Sequence, residues 1–143
     1  MVPVKQTRYG KGHGNCLLAC VASILHRPLE SIPDFAMSGC GWFEELYEWC
    51  LNEDIGVALI HPKDFEHSLF LNIHGIMIFT VAGMDDEDHA VIGKCVREEN
   101  NRPDENDKEK WRWHVEVVHD PNPRSPKVDK LEHLLFLVPK VSQ

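Results

Sequence analysis

The chain has 143 residues, 43% of them apolar, and a formal net charge of −8. That is one domain's worth of sequence, read as a single unit over residues 1–143, with enough apolar content for a real core. The acidic balance argues against a nucleic-acid or anionic-membrane surface, and no apolar run approaches the length that spans a bilayer. The opening MVPVKQTRYG lacks a signal-peptide stretch. Five cysteines without regular spacing suit reduced thiols better than a disulfide framework, so a cytoplasmic location is expected.

Residues 1–14 hold three Gly and no apolar periodicity, and read as an extended arm and loop. Residues 16–26 are apolar almost all round, which predicts a buried helix. HRPLESIPDF then breaks it: Pro28 can open a short helical turn and Pro33 limits it. GWFEELYEWCLNEDIG predicts an amphipathic helix from about Trp42 to Asn52, its apolar face carried by Phe43, Leu46, Tyr47 and Cys50, with Gly56 shortly beyond its end. After that the period changes. GVALIH, GIMIFTVAG, HAVIGKCV, WHVEVVHD and HLLFLVP read as five short strands. Helices first and strands afterwards predict an α+β domain in which N-terminal helices pack on a largely antiparallel sheet.

Between the third and fourth strands, REENNRPDENDKEK (97–110) is densely charged and holds Pro103, and reads as a solvated hairpin insertion. Reflection about its middle, near residues 104 and 105, places His89 opposite Asp120 at the open end of the hairpin. A carboxylate there would accept from one ring nitrogen, fix the tautomer and leave the other nitrogen as a base. His119 is expected to point to the face opposite Asp120.

Cys16 stands at the junction of GN and the apolar helix. Free backbone N–H groups and the macrodipole at a helix start favour an anion, so its thiol is expected to lose its proton easily, and the same N–H groups can receive an oxyanion. Asn15 and Gly14 are expected to supply the cap and the tight approach. Cys20, one turn on, reads as packing. By itself Cys16 reads as a small buried hydrophobe, as free Cys usually is; His89 and Asp120 at plausible mutual geometry turn it into the first member of a nucleophile, base and orienter set.

VKQTRYG…GNCLLACVASILHRPLESIPDF, HAVIG at the start of a strand, and HDPNP together resemble the papain-like cysteine hydrolases, in particular their C39-peptidase-like branch with its order Gln, Cys, His, Asp. More narrowly they resemble small papain-like proteins of bacteria and their phages, a likeness that runs from Val4 to Pro123. The resemblance implies Cys16 as nucleophile, His89 as general base and acid, Asp120 as orienter, and Gln6 as side-chain donor to the oxyanion beside the Cys16 N–H. Gln6 is farther from Cys16 than the family pattern has it, so RYGKGHG must loop out, and Asn15 is a second candidate for that role. It also implies a bacterial cytoplasm, or a host cytoplasm for a phage protein.

Two function classes follow. One is a cysteine hydrolase or acyltransferase that cleaves an amide, isopeptide or thioester bond in a peptide or other amide-containing substrate. The other is a binding module on the same fold that sequesters a partner. No cofactor is implied. His13, Cys16 and Cys20 lie close together, but no paired-ligand spacing supports a metal site. His61, His67, His74, His114, His119 and His133 read as surface or satisfied histidines. Trp42, Trp49, Trp111 and Trp113 read as core or cleft walls, with Trp42 nearest the cleft.

Overall fold

The computed structural model describes residues 1–8, 15–35, 41–66, 69–99, 111–124 and 127–139. His13, Gly14, Cys40, His67 and Pro103 lie outside them. CLLACVASIL forms helix α1 (Cys16–Leu25), whose first eight residues are all buried. An apolar surface all round requires cover on every side. The sheet supplies it on one side, and the arm 1–8 crosses another. Ser23, the polar residue within this helix, docks the arm: its hydroxyl donates to the Ala19 carbonyl at 2.7 Å and accepts from the Val4 N–H at 2.9 Å. The helix ends where His26 turns left-handed, at φ 56°, and Pro28 then leads into a single 3-10 turn at Leu29–Ser31.

Helix α2 spans Trp42–Asn52, with Glu44 and Glu45 in its first turn, where the macrodipole favours acid. Its buried face is rotated from the expected one. Leu46 and Cys50 are fully buried and Trp42, Phe43 and Trp49 pack against the same cluster, while Tyr47 is 45% exposed. Tyr47 stands instead against Phe43, with ring centroids 6.2 Å apart. The two Trp side chains carry more apolar area than one Tyr, and their burial sets the rotation. The chain reverses at Asp54, φ 56°, rather than at Gly56, which lies inside the next strand.

Among the described residues five strands follow, all antiparallel to their neighbours: β1 (Ile55–Ile60), β2 (His74–Val81), β3 (Met84–Glu99), β4 (Trp111–His119) and β5 (Val128–Pro139), in the order β1-β5-β2-β3-β4. The protein is thus α+β, two helices on a five-stranded antiparallel sheet. A 3-10 turn at Pro62–Asp64 was not expected. β3 also begins earlier than HAVIG suggests, directly after the β2–β3 turn with Gly83 at φ 81°. His89 is therefore inside a strand, opposite Phe79, and not at its start.

One face of the sheet (Ile76, Ile78, Ala90, Ile92, Leu135, Leu137) packs on both helices, and the other carries a smaller cluster of Met77, Val91, Leu134 and Phe136. On that second face Phe136 stacks with Phe65 and Phe70. Gly75 and Gly93 are a cross-strand pair there. A Cβ on Gly75 would meet the Phe136 ring at 2.5 Å, and one on Gly93 would meet the Met77 methyl at 2.5 Å. Among the described residues no helix is long and apolar enough to cross a membrane.

The hairpin register differs from simple reflection. Gly93 lies opposite Val117 and not Glu116, and Ile92 opposite His119 and not Val117. An extra residue, Val118, bulges out between those two pairs. The β3–β4 ladder begins at Ile92 and leaves His89 and Ala90 beyond the end of β4.

Candidate functional site

Because β4 ends at His119 while β3 continues to Met84, the sheet edge beside His89 and Ala90 is open to other elements. Three converge there: the start of α1, the turn at 120–124 and the arm. His89 is 4% exposed, and its Nε2 lies 2.7 Å from Asp120 Oδ1. His89 and Asp120 thus meet, diagonally past the end of β4 and not as the strand-paired neighbours that reflection implies. An ionised carboxylate only accepts, so Nε2 carries the hydrogen and Nδ1 is the basic nitrogen; this tautomer is assigned from the partner. Asp120 Oδ1 also accepts the Asn122 N–H at 2.9 Å, and Asn122 Oδ1 accepts the Arg124 N–H at 2.8 Å. Two successive Asx turns in DPNPR therefore hold the carboxylate toward the imidazole.

Cys16 is 5% exposed, and its sulfur accepts the backbone N–H of Ala90 at 3.4 Å. The thiol is thereby held at the residue adjoining His89. Its acidity departs from the expectation. Burial raises the Cys16 thiol above its usual range, and the Asp120 charge adds to the rise, while the N–H groups of Ala90, Leu17 and Cys16 itself pull it back. The helix-start donors are present and act in the expected sense, but desolvation outweighs them. The other described thiols lack such donors: Cys20 is raised well above its usual range, Cys50 is pushed to about 11, and Cys95 is raised, each chiefly by burial. Cys20 is fully buried in the core, as packing requires.

Asn15 precedes α1, but its side chain makes no cap. Its Oδ1 accepts the N–H groups of Thr7 (2.9 Å) and Arg8 (3.0 Å), and its Nδ2 donates to Thr7 Oγ1 at 2.9 Å. The amide is turned to the arm, which corrects the expected cap, and those bonds use it as a staple. The backbone adds Asn15 N–H to Arg8 C=O at 3.3 Å. Arg8 and Asn15 are thus held together despite the residues between them, so Gln6 reaches this region in spite of its long spacing from Cys16. Gln6 is 6% exposed, its N–H donates to the Pro121 carbonyl at 2.9 Å, and its Nε2 donates to the Arg8 carbonyl at 2.9 Å.

His119 is a satisfied histidine, with Nε2 2.7 Å from the Val4 carbonyl. Opposite Ile92, it shares the helix-covered face and holds the arm there. His61 accepts from the Lys63 N–H, and His74 has its pKa lowered chiefly by burial. Trp42 and Trp49 pack against the core around α1, and Trp113 lies 5.9 Å from the Arg97 guanidinium. Among the described residues no group of three or more His, Cys, Asp or Glu could hold a metal ion.

A pair of carboxyl groups beside the site has no signature in the sequence. Asp88, one residue before His89, hydrogen-bonds Glu132 of β5, and burial together with the Glu132 charge pushes Asp88 up to about 6. Acidic residues scattered over two distant strands give no linear signal. Comparison of the chain with protein-family models, with curated proteins and with solved structures finds no match in any of the three.

Proposed function

We propose that the chain is a papain-like cysteine hydrolase acting on an amide, isopeptide or thioester bond. The supporting observation is the His89 Nε2–Asp120 Oδ1 bond of 2.7 Å on the residue next to Ala90, whose N–H reaches the Cys16 sulfur at 3.4 Å. Cys16 is the nucleophile. A buried, protonated thiol needs a base, and His89 Nδ1 takes the Sγ proton as sulfur adds to the carbonyl carbon. The Cys16 N–H and the Gln6 amide receive the oxyanion. As the tetrahedral adduct collapses, the C–N or C–S bond of the substrate breaks and the imidazolium returns its proton to the leaving amine or thiol. Water, deprotonated by His89, then attacks the acyl-enzyme thioester, releasing the acid and the free thiol. Asp120 holds the ring and stabilises the imidazolium throughout.

The raised Cys16 thiol favours a second reading, a binding module on the same fold that keeps these residues without turnover. A limiting dose of iodoacetamide near neutral pH, mapped by mass spectrometry, separates the two. A working set labels Cys16 ahead of Cys20, Cys40, Cys50 and Cys95; preferential labelling of any of those four rejects the hydrolase.

A further inference from the structure

Strand β4 lies at one edge of the sheet, and among the described residues no strand pairs with its outer side. A nine-residue edge presents a row of backbone donors and acceptors able to accept another strand. Short edges, bulges and charge usually protect against this. Here the bulge is confined to the Val118 end, and Trp111–Val117 pairs with β3 without interruption.

The side chains of that regular stretch form a self-complementary pattern. Trp113, Val115 and Val117 alternate on one face, and Val115 packs against the second core cluster. The apolar floor of that face thus runs outward from Val91 to the sheet edge and stops at Val117, which is 52% exposed. On the other face are His114 and Glu116, oppositely charged when the imidazole is protonated. His114 already lies 3.8 Å from Glu98, and Glu116 sits opposite Lys94.

We propose that this edge pairs with a second copy of the chain, β4 against β4, antiparallel about a two-fold axis through Val115. That register puts Val115 against its own copy, Trp113 against Val117 of the second copy on the apolar face, and His114 against Glu116 of the second copy on the polar face. Every contact off the axis is made twice, as an isologous interface requires, and each cross-strand pair is apolar with apolar or imidazole with carboxylate. The two sheets become one continuous sheet, and the half-exposed Val117 is covered. The contact is shorter than a standard interface of ~1,600 Å², so the dimer is weak and dilution dissociates it. The pairing is independent of the proposed chemistry, because the edge 111–117 lies away from the Cys16–His89 end of the sheet.

Sedimentation equilibrium of the full chain from micromolar to millimolar concentration should show a reversible monomer–dimer equilibrium. Val117→Lys, at a half-exposed position, should leave the melting temperature unchanged and weaken the dimer by at least about tenfold, from two charges placed in an apolar seam. Register is read by mild oxidation. Val115→Cys should give a disulfide-linked dimer, since residues facing each other across such a pair have Cα atoms within the roughly 4.4–6.8 Å that a disulfide spans. His114→Cys and Val117→Cys alone should not, and the parent chain gives the background from native cysteines. A monomer at all concentrations, an undiminished dimer in Val117→Lys, or preferential cross-linking through position 114 or 117 each overturns the proposal. Were Val115→Cys to misfold, the comparison of the parent with Val117→Lys decides alone.

Discussion

At Cys16 two influences of similar origin oppose each other. A helix start offers N–H groups that stabilise a thiolate, and the apolar helix behind it removes the water that would do the same. The second is larger, so the resting thiol stays protonated and its reactivity depends on a neighbour able to take the proton. In the proposed mechanism that neighbour is His89 Nδ1, with Nε2 committed to Asp120. The pH dependence follows from the sign of the shift. Without the imidazole, thiolate forms only as pH rises through a value above the ordinary thiol range. His89→Ala should therefore alkylate at Cys16 on the order of 10²–10⁴ times more slowly near neutral pH, the usual worth of a positioned base, and recover as the solution becomes alkaline. Alkylation rates followed by mass spectrometry across that range decide it; equal rates for His89→Ala and the parent near neutral pH would rule out His89 as the base.

Elements explain which parts of this were legible beforehand. The bounds of α2 are readable because Leu46 and Cys50 recur at helical spacing, and α1 because every residue but Ser23 is apolar. The rotation of α2 was not readable, since it turns on whether Trp49 or Tyr47 buries better against a partner that the sequence does not display. All five strands announced themselves through Val, Ile and Phe, but the acidic start of β3 did not, because Asp and Glu mark loops far more often than strand ends. The contact of His89 with Asp120 was legible although its register was not. A bulge such as Val118 has no compositional mark, yet an aspartate in an Asx turn just past a strand has enough reach to absorb the slip. The second face of the sheet offers a separate test. A methyl group on Gly75 meets the face of the Phe136 ring, which is held in a three-ring cluster with Phe65 and Phe70, whereas one on Gly93 meets the flexible end of Met77 and, at 3.0 Å, the Glu116 backbone carbonyl, which has to give by only a few tenths of an ångström. Gly75→Ala should cost about 1–3 kcal/mol through overpacking, and Gly93→Ala clearly less. Denaturant melts of both variants test this, and equal costs would refute the packing argument.

Among the described residues the irregularities of the sheet are concentrated at one end. The β3–β4 register shifts at Ile92, the β2–β3 register at Thr80, and the β2–β5 register between Ile78 and Val81, all within reach of His89 and its partner Phe79. The bulge that frees Glu132 from the β2–β5 pairing also lets it meet Asp88, so two carboxyl groups share a hydrogen bond beside the candidate site in a chain of net charge −8. Such a pair holds together only while one member keeps a proton. Asp88 in the folded chain is raised from 3.8 to about 6, so folding stabilises the protonated form. That contribution is complete below the ordinary carboxyl range and is lost as pH rises through about 6, the reverse of a salt-bridged aspartate. Acidification from neutrality toward pH 5 should therefore raise the melting temperature of the parent relative to Asp88→Asn, whose amide donates to Glu132 at every pH. The pair is partly solvated, which limits the difference to no more than about 2–4 °C for a chain of this size. Histidine protonation and relief of the net acidic repulsion act alike on both proteins and cancel in the comparison. Asp88→Asn should accordingly be the more stable protein above pH 7 and lose its advantage on acidification; parallel melting curves for the two proteins across that range would show that no proton is shared between Asp88 and Glu132.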